Sequence, residues 1–119
     1  MQLTQKQINL INHQETVILA TSNMNNEPRA IYVEINKVDG DELVITDNHM
    51  KITKNNILEN TNVFILVADE EYKWGLKIRG VAQYYDSGNY FDFVRNSAMN
   101  KDYTPKGAIA VRVVEIDEF

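Results

Sequence analysis

The chain has 119 residues, a length that suits one domain, and 44% of them are hydrophobic against 24% charged, which excludes wholesale disorder. Its 12 Lys and Arg face 17 Asp and Glu, so a net charge of -5 leaves no general cationic surface for nucleic acid or anionic membranes. The absence of Cys removes disulfides, thiol catalysis and cysteinyl zinc sites.

The first element reads as a short amphipathic helix. Thr4 and Gln7 have capping-box spacing, Leu3 and Ile8 sit as a hydrophobic staple, and Ile8 and Ile11 share a face. Thr16 to Thr21 is a continuous β-prone run that suits a strand buried on both sides, and Asn23 to Pro28 is dense in turn formers. Alternation then places Ile31, Val33 and Ile35 on one face of a single strand. Asp39-Gly40 reads as a hairpin turn into a strand over Glu42 to Thr46. From Asp47 to Asn60 the pattern suits a loop and a short helix. Asn62 to Ala68 is a second buried strand, too short to span a bilayer. Asp69-Glu70-Glu71 is a charged turn, and Trp74 to Tyr85 a long strand that Gly80 bends or bulges. Phe91, Val94 and Ala98 mark a further amphipathic helix, and a last strand runs from Ala108 to Asp117. The fold expected is mainly β with short helices: one domain over residues 1–119, a six-stranded antiparallel split β-barrel. MQLTQKQINL lacks the basic-then-apolar order of a signal peptide, so a cytoplasmic protein is expected.

Familiar catalytic patterns are missing. The glycines are isolated, no GxSxG elbow surrounds a serine, and His13 and His49 lie far apart without metal-ligand companions. Neither a catalytic side chain nor a metal site is assigned; His13 reads as solvated, and Asp39, Asp41 and Glu42 as a solvated hairpin tip. The segment Met50-Lys51-Ile52-Thr53-Lys54-Asn55-Asn56 stands out, because two lysines, a hydroxyl and two amides gather where a loop becomes a helix. A helix N-terminus offers unpaired N–H groups and a positive dipole end, which suits a phosphate. Thr53 is placed as the N-cap. The same spacing equally describes a Thr-capped surface helix with two solvated lysines.

The ordered segments TVILATSNMNNEPRAIYV, DGDELVITDNHMKITKNNILEN, NVFILV, WGLKIRGVAQYYDSGNYFDFV and GAIAVRVVEI carry a resemblance across Glu15 to Ile116. Together they resemble the FMN-binding split β-barrels of the pyridoxamine 5′-phosphate oxidase-like family, specifically its small single-domain members. The resemblance implies a homodimer holding two FMN molecules at the subunit interface. It implies Lys51, Thr53 and Asn56, with Lys54 beside them, for the phosphate. It implies Arg29, Ala30, Ile31 and Tyr32 along the ribityl chain and isoalloxazine, with Ile45, Thr46 and Asp47 at the neighbouring strand end. Trp74 falls where an aromatic of the other subunit approaches the flavin; taken by itself it reads as a barrel-core or dimer-core residue. Ile52 stands where relatives often carry a basic residue. The long C-terminal segment with which pyridoxamine-phosphate oxidases recognise substrate has no counterpart, so that reaction itself is not expected. The expected function is an FMN-dependent oxidoreductase that passes electrons from a nicotinamide or other donor to a small acceptor. The alternatives are a non-catalytic flavin carrier or sensor, and a barrel that binds another small ligand such as haem or serves only as a protein-interaction module.

Overall fold

The computed structural model describes residues 1–119, and its first helix, α1 (Gln5–His13), starts where the capping box places it. The Gln7 amide donates to Thr4 Oγ1 at 3.2 Å, and the Thr4 amide donates to Gln7 Oε1 at 2.9 Å. Two orphan donors of the first turn are thereby satisfied. Leu10 and Ile11 go inward, with Leu3 and Ile8 packed beside them.

Seven strands follow, not six: β1 (Val17–Ser22), β2 (Pro28–Val33), β3 (Ile35–Asp39), β4 (Glu42–Asp47), β5 (Asn62–Ala68), β6 (Gly75–Tyr85) and β7 (Gly107–Glu118). Helix α2 (Ile52–Glu59) lies between β4 and β5, and α3 (Asn89–Asn96) with a 3-10 turn (Ala98–Asn100) lies between β6 and β7. Ala98 therefore belongs to the turn beyond α3 and not to the helix. The additional strand arises because the run expected as one strand divides at Glu34. Its first half pairs with β1 and its second with β4, with a register shift between Ile35 and Lys37.

The sheet order is β2-β1-β5-β6-β7-β4-β3, with every pairing antiparallel. Its two edge strands, β2 and β3, are consecutive in the chain and separated by the single residue Glu34. A flat sheet cannot bring opposite edges within one residue, so the sheet curls into a half-barrel with a split between those edges. Gly80 is the site of the expected irregularity: the β6–β7 register shifts between Arg79 and Gly80. A Cβ at Gly80 would stand 2.5 Å from Val111 Cγ1 and 2.9 Å from the Arg112 carbonyl oxygen, so only Gly permits β7 to close in there.

The concave side holds the core, in which Leu19, Ile45, Ile65, Leu76, Ile78 and Ile109 are fully buried. Each such side chain contributes roughly 1.5–3 kcal/mol relative to exposure. β1 and β5 alternate instead of being buried on both sides. Val17, Leu19, Val63, Ile65 and Val67 face in, whereas Phe64 is 39% exposed and Ile18, Ala20 and Leu66 are half-buried on the convex side. Helix α2 packs against β1 and β6, and α3 against β7 and β4. None of the helices is long and apolar enough to cross a membrane.

Candidate functional site

Helix α2 is inside out relative to an ordinary surface helix. It buries the polar Thr53 and Asn56 along with Ile57, while Ile52 and Leu58 are 49% and 62% exposed. Breaking the amphipathic rule on a short helix is expected where a site is built and not where a surface is merely covered. Asn56 explains part of it. Its Nδ2 donates to the buried Thr21 Oγ1 at 3.1 Å, and Asn60 Nδ2 donates to Ser22 Oγ at 3.0 Å, so two amides pin α2 to β1.

The start of α2 differs from the expectation. Lys51, not Thr53, is the N-cap residue, and no side chain caps the first turn. Thr53 lies inside the helix and is 3% exposed, because the chain has already entered helical geometry at Ile52. The first turn contains no acidic residue. Its free N–H groups and dipole end therefore present positive potential.

What holds this turn in place is a buried clamp. Asp47, at the end of β4, has no exposed surface; it accepts the Met50 amide on Oδ1 at 2.7 Å and the Tyr84 hydroxyl on Oδ2. Lys106 Nζ donates to the Met50 carbonyl at 2.8 Å and stands 3.9 Å from Asp47 Oδ1, so both polar groups of Met50 are gripped. Burial, with the Asp47 carboxylate beside it, holds the Tyr84 hydroxyl well above the ordinary tyrosine range, which keeps it a proton donor. Lys54 Nζ lies 4.7 Å from the Tyr84 ring centroid.

Above the clamp opens a cavity of about 650 Å³. β2 provides Arg29, Ile31 and Tyr32; the β4 end provides Thr46; and the turn into α2 provides Lys51 and Thr53. The sequence-predicted residues thus divide into three groups. Arg29, Ile31, Tyr32, Thr46, Lys51 and Thr53 line the cavity together. Asp47 and Asn56 stand behind its wall as supports, Ile45 is fully buried in the core, and Ala30 and Lys54 lie outside the lining. Trp74 is elsewhere, in a separate hollow where Lys6 Nζ sits 4.5 Å from its ring centroid.

Other lining residues were not anticipated from the sequence: Asn36, Asn48, Met99, Asn100 and Tyr103. Asn36 Oδ1 accepts both the Thr46 amide, at 3.1 Å, and the Thr46 hydroxyl, at 2.9 Å. Asn100, 4% exposed, donates from Nδ2 to Thr46 Oγ1 at 2.9 Å and to the Val94 carbonyl at 2.8 Å. Asn36 was legible as the polar side of a strand. Asn100 sits in a turn without periodicity, 54 residues from its partner Thr46.

A curled antiparallel barrel, split between consecutive strands and carrying a small-ligand cavity beside an uncapped helix, is the class that this fold and site define. The chain belongs to the pyridoxamine 5′-phosphate oxidase family, a flavin-binding split-barrel family whose pattern matches residues 3–118. It is 31% identical to an uncharacterized protein of Methanocaldococcus jannaschii over 124 aligned positions, covering 98% of this chain and 80% of that one. Its fold is similar to that of Group A Streptococcus HupZ, with TM-score 0.87 and 23% identity over 98% of this chain and 94% of that one. An FMN-binding protein from Syntrophomonas wolfei also superposes, with TM-score 0.76 and 20% identity over 95% of this chain and 83% of that one. So does an F420 reductase, with TM-score 0.69 and 20% identity over 97% and 98%.

Proposed function

We propose that the protein binds FMN in the β2–α2 cavity and acts as a flavin-dependent oxidoreductase, as a homodimer. The observation that carries this reading is the meeting, around one cavity, of a sheet edge with an uncapped and acid-free helix start. The cavity's size suits a cofactor of this class. The phosphate end fits the α2 start, where first-turn N–H groups, the buried Thr53 hydroxyl and the Lys51 cation converge. The ring end fits β2, which pairs on one side only and so has backbone donors and acceptors left for in-plane hydrogen bonds. FMN, when bound, supplies reversible one- and two-electron chemistry. The chain's own task is to bind, orient and desolvate, with Asp47, Lys106 and Tyr84 holding the phosphate turn in register.

Dimerisation is supported by the convex face. Tyr32, Ile18 and Leu66 form one register row across β2-β1-β5, and Ala30, Ala20 and Phe64 form the next. A contiguous apolar sheet face of this kind marks an interface. Tyr32 also lines the cavity, so a second copy seated on this face would complete the cavity wall.

The test is a visible absorption spectrum of the purified protein with and without FMN, beside its solution mass. The reading expects a bound flavin spectrum and twice the chain mass. Steady turnover with bleaching by a reduced nicotinamide separates the enzyme from a flavin carrier, and a colourless protein indifferent to FMN overturns the reading.

A further inference from the structure

All but one of the polar atoms of Asn100 are bonded within the chain. The residue sits in the 3-10 turn after α3 and is 4% exposed. Its backbone amide donates to the Ser97 carbonyl at 3.0 Å, and its carbonyl accepts the Tyr103 amide at 2.9 Å. Its Nδ2 donates to Thr46 Oγ1 at 2.9 Å and to the Val94 carbonyl at 2.8 Å. Only Oδ1 accepts nothing from the chain, and it is not among the atoms sealed in the interior. Asn100 lines the cavity, so that oxygen is open to what the cavity holds.

The orientation of this amide is fixed outward from a backbone donor. The Thr46 N–H can only donate, so the Asn36 atom that meets it at 3.1 Å is Oδ1. The Thr46 hydroxyl lies 2.9 Å from the same oxygen and gives its one proton there. Thr46 Oγ1 is then an acceptor toward Asn100, as the Val94 carbonyl is. Both neighbours require the NH2 side, which leaves the oxygen for the ligand. A carboxamide free to flip offers a donor or an acceptor; this one offers an acceptor alone. A polar group so far out of water carries a desolvation cost while unpaired, and a ligand donor removes it.

Resting on the flavin reading above, we propose that Asn100 is a cofactor-binding residue whose Oδ1 accepts the imide N–H, at N3, of the isoalloxazine. The pyrimidine edge of an oxidised flavin runs carbonyl, N–H, carbonyl, and this N–H is its one ring donor. Free β2 backbone amides suit the carbonyls, and an acceptor-only side chain suits the N–H. The ribityl hydroxyls accept as readily as they donate, so a fixed acceptor in the wall selects the ring. Asn36 and Thr46 act through Asn100 as positioning residues.

The experiment compares FMN with 3-methyl-FMN, in which a methyl group replaces that one proton. FMN binding by the parent protein is measured first, by quenching of flavin fluorescence; a protein indifferent to FMN fails the flavin reading itself and is recognised as such. The parent is expected to bind 3-methyl-FMN roughly tenfold more weakly than FMN. Asn100→Ala should weaken FMN about three- to tenfold, the loss of one neutral hydrogen bond, and bring the two probes within about twofold of each other. Thr46→Val keeps the side-chain shape and removes the oxygen that turns the amide. Its circular dichroism should match that of the parent, and its preference for FMN should narrow several-fold. Equal affinity of the two probes for a parent that binds FMN overturns the assignment. So does an Asn100→Ala variant weakened alike for both, since that result gives Asn100 to the ribityl chain or to the fold.

Discussion

Replacing Lys51 by Ala and Thr53 by Val in one variant removes the cation and the hydroxyl at the α2 start while leaving the clamp beneath intact. The two positions do not weigh equally. Thr53 is 3% exposed, so a bond from its hydroxyl to a phosphate oxygen is charge-assisted and desolvated, roughly 1.5–3 kcal/mol. Lys51 is exposed at the rim, where solvent screens an ion pair to about 0.2–1 kcal/mol. The sum of about 1.7–4 kcal/mol is a loss of roughly 20- to 800-fold in FMN affinity. Valine keeps the shape of threonine, so packing of the buried α2 face is retained. Riboflavin, which lacks the phosphate, is the internal control. Quenching of flavin fluorescence gives both dissociation constants, and only that for FMN should rise. An FMN affinity within threefold of the parent would place the phosphate elsewhere. An equal loss for riboflavin would mean that the substitutions act on the fold.

Tyr84→Phe removes a donor from a fully buried carboxylate and should cost about 2 kcal/mol in urea unfolding, lowering Tm by about 8 °C; a change below about 0.5 kcal/mol would show that the bond contributes little. Burial and neighbouring carboxylates raise both Tyr84 and Tyr90 above the ordinary tyrosine range. The folded state therefore holds these protons more tightly than the unfolded one, and the associated stability is complete below about pH 10 and lost as the pH rises beyond it. In an absorbance titration, two of the six tyrosines should ionise at higher pH in the folded protein than in the urea-unfolded chain. Under the pairing proposed above, Phe64→Lys, in the middle of the convex face, should halve the solution mass without changing the circular dichroism; a persistent dimer would remove that face from the interface.

Local signals made α1 legible, because a Thr4–Gln7 capping box closes within four residues and needs no tertiary partner. The Gly80 bulge was legible for a related reason: an interior glycine in a long strand has few other uses. Division of the β2–β3 run was not legible. Ile31, Val33 and Ile35 keep strict alternation straight through Glu34, and the break exists only because each half pairs with a different edge of the sheet. The double-sided burial expected for β1 and β5 missed for the converse reason, since an apolar run reports that both faces dislike water and not which chain covers the second one. At the candidate site, Lys51 and Thr53 were visible as a cluster, but the cap moved to Lys51 because the Asp47–Met50 bond begins the turn earlier than side-chain preference suggests. Asn100 was invisible, since its role depends on a contact with Thr46 across the fold.

The position of β7 bears on how the molecule is made. It is the sole hydrogen-bonded bridge between the ribbon β2-β1-β5-β6 and the ribbon β4-β3, which Glu34 also joins along the chain, yet it leaves the ribosome after all of them. The nascent chain therefore carries two half-built ribbons, each with a raw border awaiting the same late arrival. Those borders are vulnerable to pairing with a neighbouring nascent chain, and chaperone demand should peak just before the keystone emerges.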